Sequence, residues 1–228
     1  MKPSATPVVV AWSSGKDSAW ALHEVRRQGG YNVVGLLTTV TETFDRVSMH
    51  GVRSELVRAQ ARSLGLPLKV VSIPSPCPNE IYEARMGSAM KDLADSGVRH
   101  VVFGDLFLED VRRYRETQLA RAGMTGVFPL WGRATSGLLA HMLEAGTQTV
   151  LVCVDPRKLP QSFAGEWLTP SLVARFPAGV DPCGENGEFH TFVASGPMFP
   201  KPIPVRVGER VIRDGFAFAD LTLASAPE

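Results

Sequence analysis

Residues 7–12 (PVVVAW) form an apolar, β-branched run closed at once by Ser and Gly, which predicts a buried strand. A helical pattern follows over 17–28 and stops at Gly29-Gly30. The alternation then repeats: strand 32–40 (NVVGLLTTV), helix 53–64 ending at Gly65, strand 68–73, helix 80–96 ending at Gly97, strand 98–103 closed by Gly104-Asp105, and helix 109–121. Strands alternating with helices in this way predict an α/β fold, a parallel sheet covered on both faces.

The pattern changes at Pro129-Leu130-Trp131. A helix is expected over 136–145 and a strand over 149–154. After Asp155 come many prolines and glycines, then short strands over 189–194, 203–207, 210–212 and 216–223, with Gly208-Glu209 as a hairpin tip. This divides the chain into a larger α/β domain, residues 1–130, and a smaller α+β part, residues 131–228.

Composition narrows the class. With 44% hydrophobic and 21% charged residues over 228 positions, the chain has the make-up of an ordinary globular protein able to bury a core without staples. Its formal net charge of +1 offers no bulk field for nucleic acid or anionic lipid, so neither is expected as a partner. The three cysteines, Cys77, Cys153 and Cys183, are far apart and form no CxxC pair. A zinc knuckle or disulfide framework is therefore not expected, and a reducing cytoplasm is the simpler setting. Residues 1–7 carry no apolar signal core, and no stretch approaches the length needed to span a bilayer.

The sharpest chemical signal is VVVAWSSGKDS, residues 8–18: a buried strand, a Ser/Gly turn, then a helix start. In open α/β sheets ligands bind beyond the carboxyl ends of strands, where a helix N-terminus offers unpaired N–H groups to an anion. Ser13, Ser14, Gly15, Lys16, Asp17 and Ser18 are the candidate phosphate binders. Gly15 permits close backbone approach, Lys16 adds a point charge, and Ser13 and Ser18 add hydroxyls. Asp17 either caps the helix, fixes Lys16 or holds Mg²⁺. The spacing matches neither a Walker A loop nor a GxGxxG dinucleotide loop.

The loop resembles the SGGxDS loop of the PP-loop ATP pyrophosphatases, with Ser14 in place of the first Gly. If that position requires a positive φ, the serine is strained there. Three further stretches extend the resemblance over roughly residues 8–199: FGDLFLEDVRRYRE (103–116), PLWGR (129–133) and GVDPCGENGEFHTFV (179–193). Together they are similar to the diphthine–ammonia ligase family, which carries a loop of the CGExGEYxT kind. Here Phe189 and His190 stand where that family usually shows tyrosine and acidic residues, and Asp105 stands where it often has a small residue. These departures fit a bacterial branch. Bacteria are not expected to make diphthamide, so the resemblance carries the ATP chemistry further than the acceptor.

The resemblance implies a Rossmann-like sheet of the adenine nucleotide alpha hydrolase type, with ATP and Mg²⁺ as cofactors. The loop would grip the β,γ-phosphates and leave the α-phosphate open to attack by a carboxylate. Pyrophosphate would leave, and ammonia would attack the acyl-adenylate. Lys16, Arg112 and Mg²⁺ are candidates to stabilise the α-phosphate, and Glu185, Glu188 and His190 are candidate bases. His50, Gly104 and Asp105 are expected beside the nucleotide. Arg112 and Glu116, four apart on one helix face, would contribute little as a surface pair, but their place just after a strand end favours the site. Cys183 reads as a small buried residue rather than a nucleophile, and Trp131 as packing.

The acceptor is expected to be a small-molecule or modified-protein carboxylate, and a homodimer stays open. Two other readings compete: a tRNA-thiolating PP-loop enzyme, and a non-catalytic ATP- or AMP-binding module. The first would bring paired cysteines and a basic surface, which the sequence lacks. The second leaves the Glu- and His-bearing loop unexplained.

Overall fold

The computed structural model describes residues 5–224. Residues 1–4, part of the stretch read as free of a signal core, and residues 225–228 lie outside the described residues. The order is β1 (Thr6–Ala11), α1 (Lys16–Gln28), β2 (Tyr31–Thr41), β3 (Arg46–Val47), α2 (Ser54–Leu64), β4 (Leu68–Ile73), α3 (Asn79–Asp95), β5 (His100–Val102), α4 (Glu109–Arg121) and β6 (Thr125–Val127). There follow α5 (Thr135–Glu144), β7 (Gln148–Val154), a 3₁₀ turn (Gln161–Phe163), α6 (Pro170–Val173), β8 (Phe189–Ser195), β9 (Val205–Arg213) and β10 (Phe216–Leu223). No described helix is long and apolar enough to cross a membrane.

The first sheet runs β4-β2-β1-β5-β6, all parallel, with β3 pairing antiparallel to the end of β2. Its centre is β1, where Val8, Val9 and Val10 are almost fully buried. They alternate between faces as period-2 geometry requires. Val8 and Val10 pack with Trp20, Leu22, Leu56 and Val57 of α1 and α2. Val9 packs with Ala89, Met90 and Leu119 of α3 and α4. The chain reverses its direction of travel across the sheet between β1 and β5, and such a switch point opens a crevice beyond the strand ends.

The second sheet is antiparallel, in the order β8-β7-β10-β9, and shares the core of α1 and α2 through Leu151, Phe192 and Leu221. Its last hairpin corrects the sequence-based expectation. β9 is one continuous strand, and the tip is Asp214-Gly215, with φ of 50° and 81°. Two consecutive positive-φ residues make a tight turn matched to strand twist, which Asp-Gly accommodates and Gly-Glu does not. Gly208-Glu209 instead lies opposite Asp220, where the pairing register shifts between Ala219 and Leu221. It is the bulge that the expectation took for a turn. The short β3, β6 and α6 carry too few residues for periodicity to register.

One side chain fastens the two sheets. Gln60 on α2 is fully buried. Its Oε1 accepts from Trp12 Nε1 at 2.8 Å, and its Nε2 donates to the carbonyls of Ser14 (3.2 Å) and Val193 (2.7 Å). The Val193 N–H also donates to the Ser14 carbonyl at 3.0 Å. At the far rim, Arg46 and Arg53 both pair with Asp220 of β10, at 2.8 and 2.6 Å. Gln60→Leu strips partners from three buried polar groups, so it is expected to destabilise the protein by about 3 kcal/mol or more. Urea unfolding checks this, and an unchanged midpoint would refute the fastening role.

Candidate functional site

The turn after β1 opens on a cavity of about 560 Å³ at the carboxyl ends of the parallel strands. Ser13, Lys16, Asp17 and Ser18 line it from one side, and His50, Gly104 and Asp105 from the loops after β3 and β5. Cys183, Gly184, Glu185, His190 and Thr191 close it from the second half of the chain. A deeper apolar end lies between α3 and α4, walled by Tyr82, Met86, Met90, Phe103 and Leu119.

Ser14 does adopt a positive φ, 72°, and its buried hydroxyl has no hydrogen-bond partner among the described residues. Gly15 is needed for space rather than for conformation. Its φ is −85°, but an added Cβ would sit 2.9 Å from His50 and 3.1 Å from the Thr191 carbonyl. What approaches the loop so closely is the start of β8. Gly104 is tighter still, since a Cβ there would lie 2.6 Å from the Asp17 backbone, so β5 ends directly against the first turn of α1. Two loop amides are held by hydroxyl oxygens: Gly15 N–H by Ser13 at 3.3 Å, and Lys16 N–H by Thr191 at 3.1 Å.

Lys16 is the buried charge of the site, with 2% of its side chain exposed. Its ammonium donates to both Asp17 oxygens (3.0 and 2.8 Å) and to the Cys183 carbonyl, and it lies 5.4 Å from the Phe189 ring centre. Burial opposes its charge, but Asp17 outweighs that and holds the ammonium protonated. Of the roles weighed for Asp17, this structure displays the fixing of Lys16. Among the described residues no group of three His, Cys, Asp or Glu side chains forms a ready metal site. Mg²⁺ takes few protein ligands and keeps water and phosphate oxygens, so a carboxylate such as Asp17, which shares the cavity wall with Asp105 and Glu185, fits an ion carried in on a nucleotide.

Glu185 accepts from the Leu106 N–H at 2.7 Å, tying the C-terminal loop to the end of β5. Burial, with Asp17 and Asp105 nearby, pushes its carboxyl up to about 7. Glu188 does not line the cavity. It is buried and accepts from Asp181 N–H and Asn186 Nδ2, both at 3.2 Å, which shapes the loop. His190 is held down to about 4 by burial and by Lys16. The Cys183 thiol is pushed up to about 12, chiefly by burial, which opposes formation of a thiolate.

Arg112 also lies off the cavity lining. Its guanidinium is 4.7 Å from the ring centres of both Phe128 and Trp131, and its Nε is 2.8 Å from Glu116. Trp131 thus packs, as expected. The cavity wall takes Arg115 instead, 3.0 Å from Asp105 and 4.5 Å from the centre of the Phe103 ring. Sequence reasoning missed it because RRYR offers several arginines and only the packing of α4 selects one. The Phe103-Gly104-Asp105 triplet, with an aromatic face and a carboxylate, was the available signal.

Two outcomes follow. Ser14→Gly relieves the left-handed strain and removes an unpaired hydroxyl, so it is expected to stabilise by about 1 kcal/mol, read by thermal unfolding; a lower melting temperature would contradict the strain. Glu185→Gln is expected to stabilise at alkaline pH. The folded carboxyl titrates near 7, above its unfolded value, so wild type loses stability as pH rises through that value. The variant's advantage is expected to reach on the order of 2 kcal/mol at pH 8 and to close toward pH 4. A pH-independent difference would remove the burial argument.

Comparison with known proteins agrees with this geometry. A family model described as the diphthamide synthase N-terminal domain matches residues 6–125, and one described as the C-terminal domain matches residues 135–224. Diphthine–ammonia ligase of Danio rerio is 28% identical over 236 residues, covering 93% of this chain and 91% of that protein. The proteins of that name from Rattus norvegicus and Homo sapiens are each 26% identical over 230 residues, covering 91% of this chain and 85% of their own. The chain belongs to the diphthamide synthase family.

Proposed function

We propose that this chain is an ATP-dependent ligase that cleaves ATP to AMP and pyrophosphate and joins ammonia to an activated carboxylate. The observation that carries the reading is the meeting of the Ser13–Ser18 turn with the Cys183–Thr191 loop in one cavity, through Lys16 and Thr191. The first sheet, up to about residue 130, would be the nucleotide part and the remainder the acceptor part. The acceptor is a carboxylate on a small molecule or on a modified protein side chain. Each name borne by the relatives describes those proteins; their common chemistry, amide formation with ammonia, is what we extend to this chain.

The roles divide by position. Lys16 and the α1 amides hold the terminal phosphates, with Mg²⁺ supplying charge neutralisation when the nucleotide brings it. Glu185 is the base for ammonia. It faces the cavity, and a carboxyl titrating near neutrality exchanges protons efficiently at pH 7. Glu188 positions the loop that carries Glu185. Arg115 stands as the cation on the α4 wall, in the place the sequence suggested for Arg112. A thiolation reading has no cysteine pair to rest on, since Cys77, Cys153 and Cys183 are all free thiols and two of them are buried.

Product analysis tests the reading. Incubation with ATP, Mg²⁺, ammonium and a panel of carboxylates, free and protein-borne, is expected to yield AMP and pyrophosphate only when acceptor and ammonium are both present. ADP and orthophosphate as products would overturn it. Lys16→Ala is expected to abolish turnover while the far-ultraviolet circular dichroism is unchanged, and Glu185→Gln to lower kcat by roughly 100-fold.

A further inference from the structure

His50 and His190 come from opposite halves of the chain, and their rings stack 4.5 Å apart at an interplanar angle of 32°. Both line the cavity beside the phosphate turn. His50 sits on that turn itself: its Cε1 would lie 2.9 Å from a Cβ on Gly15, and its Nδ1 is 3.2 Å from the Thr191 carbonyl. The segment carrying it is held in a demanding shape. Met49 and Gly51, on either side, have φ of 67° and 68°, and Met49 is 72% exposed. A side chain of Met gains nothing from such a backbone, so the strain serves the position of its neighbour. The Arg46 guanidinium pins the turn by donating to the Gly51 carbonyl at 2.8 Å.

The surroundings of the pair are cationic. From α1 it faces Lys16, whose charge lowers the proton affinity of both rings. Asp17 of α1 and Glu185 of the loop before β8 share the cavity, but neither hydrogen-bonds to an imidazole among the described residues. Burial is the main cause for both rings, Lys16 acts in the same direction on each, and His190 adds to it for His50, so both imidazoles are neutral at pH 7. Two neutral imidazoles stacked beside an ammonium offer ring nitrogens that the field of a bound anion can protonate.

We propose that His50 and His190 are a paired imidazole site for the terminal phosphates of the nucleotide, taking up a proton from solvent as the polyanion binds and giving it back when pyrophosphate leaves. This rests on the reading that the turn receives ATP. A phosphate group within hydrogen-bond reach reverses the local field and raises an imidazole's proton affinity by one or more pH units. The imidazolium then bears on the leaving pyrophosphate as its charge grows, and loss of the proton after release resets the site.

The test is calorimetric titration with inorganic pyrophosphate and with ATP at pH 7, in buffers of different ionisation enthalpy. Wild type is expected to take up about one proton per site more than the double variant His50→Gln/His190→Gln, which subtracts the ligand's own ionisation. Each single variant is expected to bind pyrophosphate about tenfold more weakly. A second readout uses wild type alone: the Cε1–H resonances of both rings are expected to move from imidazole to imidazolium positions on adding pyrophosphate at pH 7. Binding of both ligands with equal proton uptake in wild type and double variant, or unmoved ring resonances, would overturn this inference and leave the ligase reading intact. Failure of ATP to bind at all would overturn both.

Discussion

The whole site depends on one buried junction. The Ser14 carbonyl receives the Val193 N–H and the Gln60 amide, and Gln60 also holds Trp12 and the Val193 carbonyl. Buried polar groups must find partners, and here each partner belongs to a different element. The turn after β1, α2 and β8 are therefore set relative to one another by hydrogen bonds. Everything that touches the cavity from the C-terminal half, including Thr191, His190 and Glu185, inherits its position from that registration. Ser14, held at a positive φ, supplies the carbonyl that Val193 and Gln60 share.

Charge is organised around a single buried ammonium. Lys16 would be costly in that position without Asp17, whose carboxyl holds the ammonium protonated, while burial raises the proton affinity of Asp17 itself. The consequences spread outward. Burial disfavours the charged forms of His50, His190 and Glu185; Lys16 adds to this for the two imidazoles, and Asp17 and Asp105 add to it for the carboxyl. The cavity thus holds, within one small volume, a permanent cation, a carboxyl near neutrality and two unprotonated imidazoles. Groups of contrasting proton affinity are thus packed together at the carboxyl ends of the parallel strands.

The contrast between Arg112 and Arg115 shows where reading a sequence stops. Both sit in the same RRYR stretch of α4, with identical chemistry. The aromatic rings of Phe128 and Trp131 capture one, and Phe103 with Asp105 captures the other. Likewise Glu185 and Glu188 share a Gly-rich loop, and only the direction in which that loop enters β8 decides which faces the cavity. Periodicity places a side chain on a face of an element; it does not say what lies opposite that face.

The alternating pattern of the first 121 residues determined the parallel sheet, its helices and the position of the Ser/Gly turn after β1, because strand and helix periodicities are local properties of the chain. The resemblance to the SGGxDS loop implied strain at Ser14 on condition that the position takes a positive φ, and the structure has that φ. The last hairpin was misread where a Gly in a strand could be bulge or turn, and Asp214-Gly215 was the stronger local signal for the turn. What only the tertiary structure decided is non-local: the contact of β8 with the turn 175 residues earlier in the chain, the capture of Lys16 by the Cys183 carbonyl, and the stacking of His50 on His190. Those contacts exist because distant segments share a core, and the composition of neither segment records which partner it will meet.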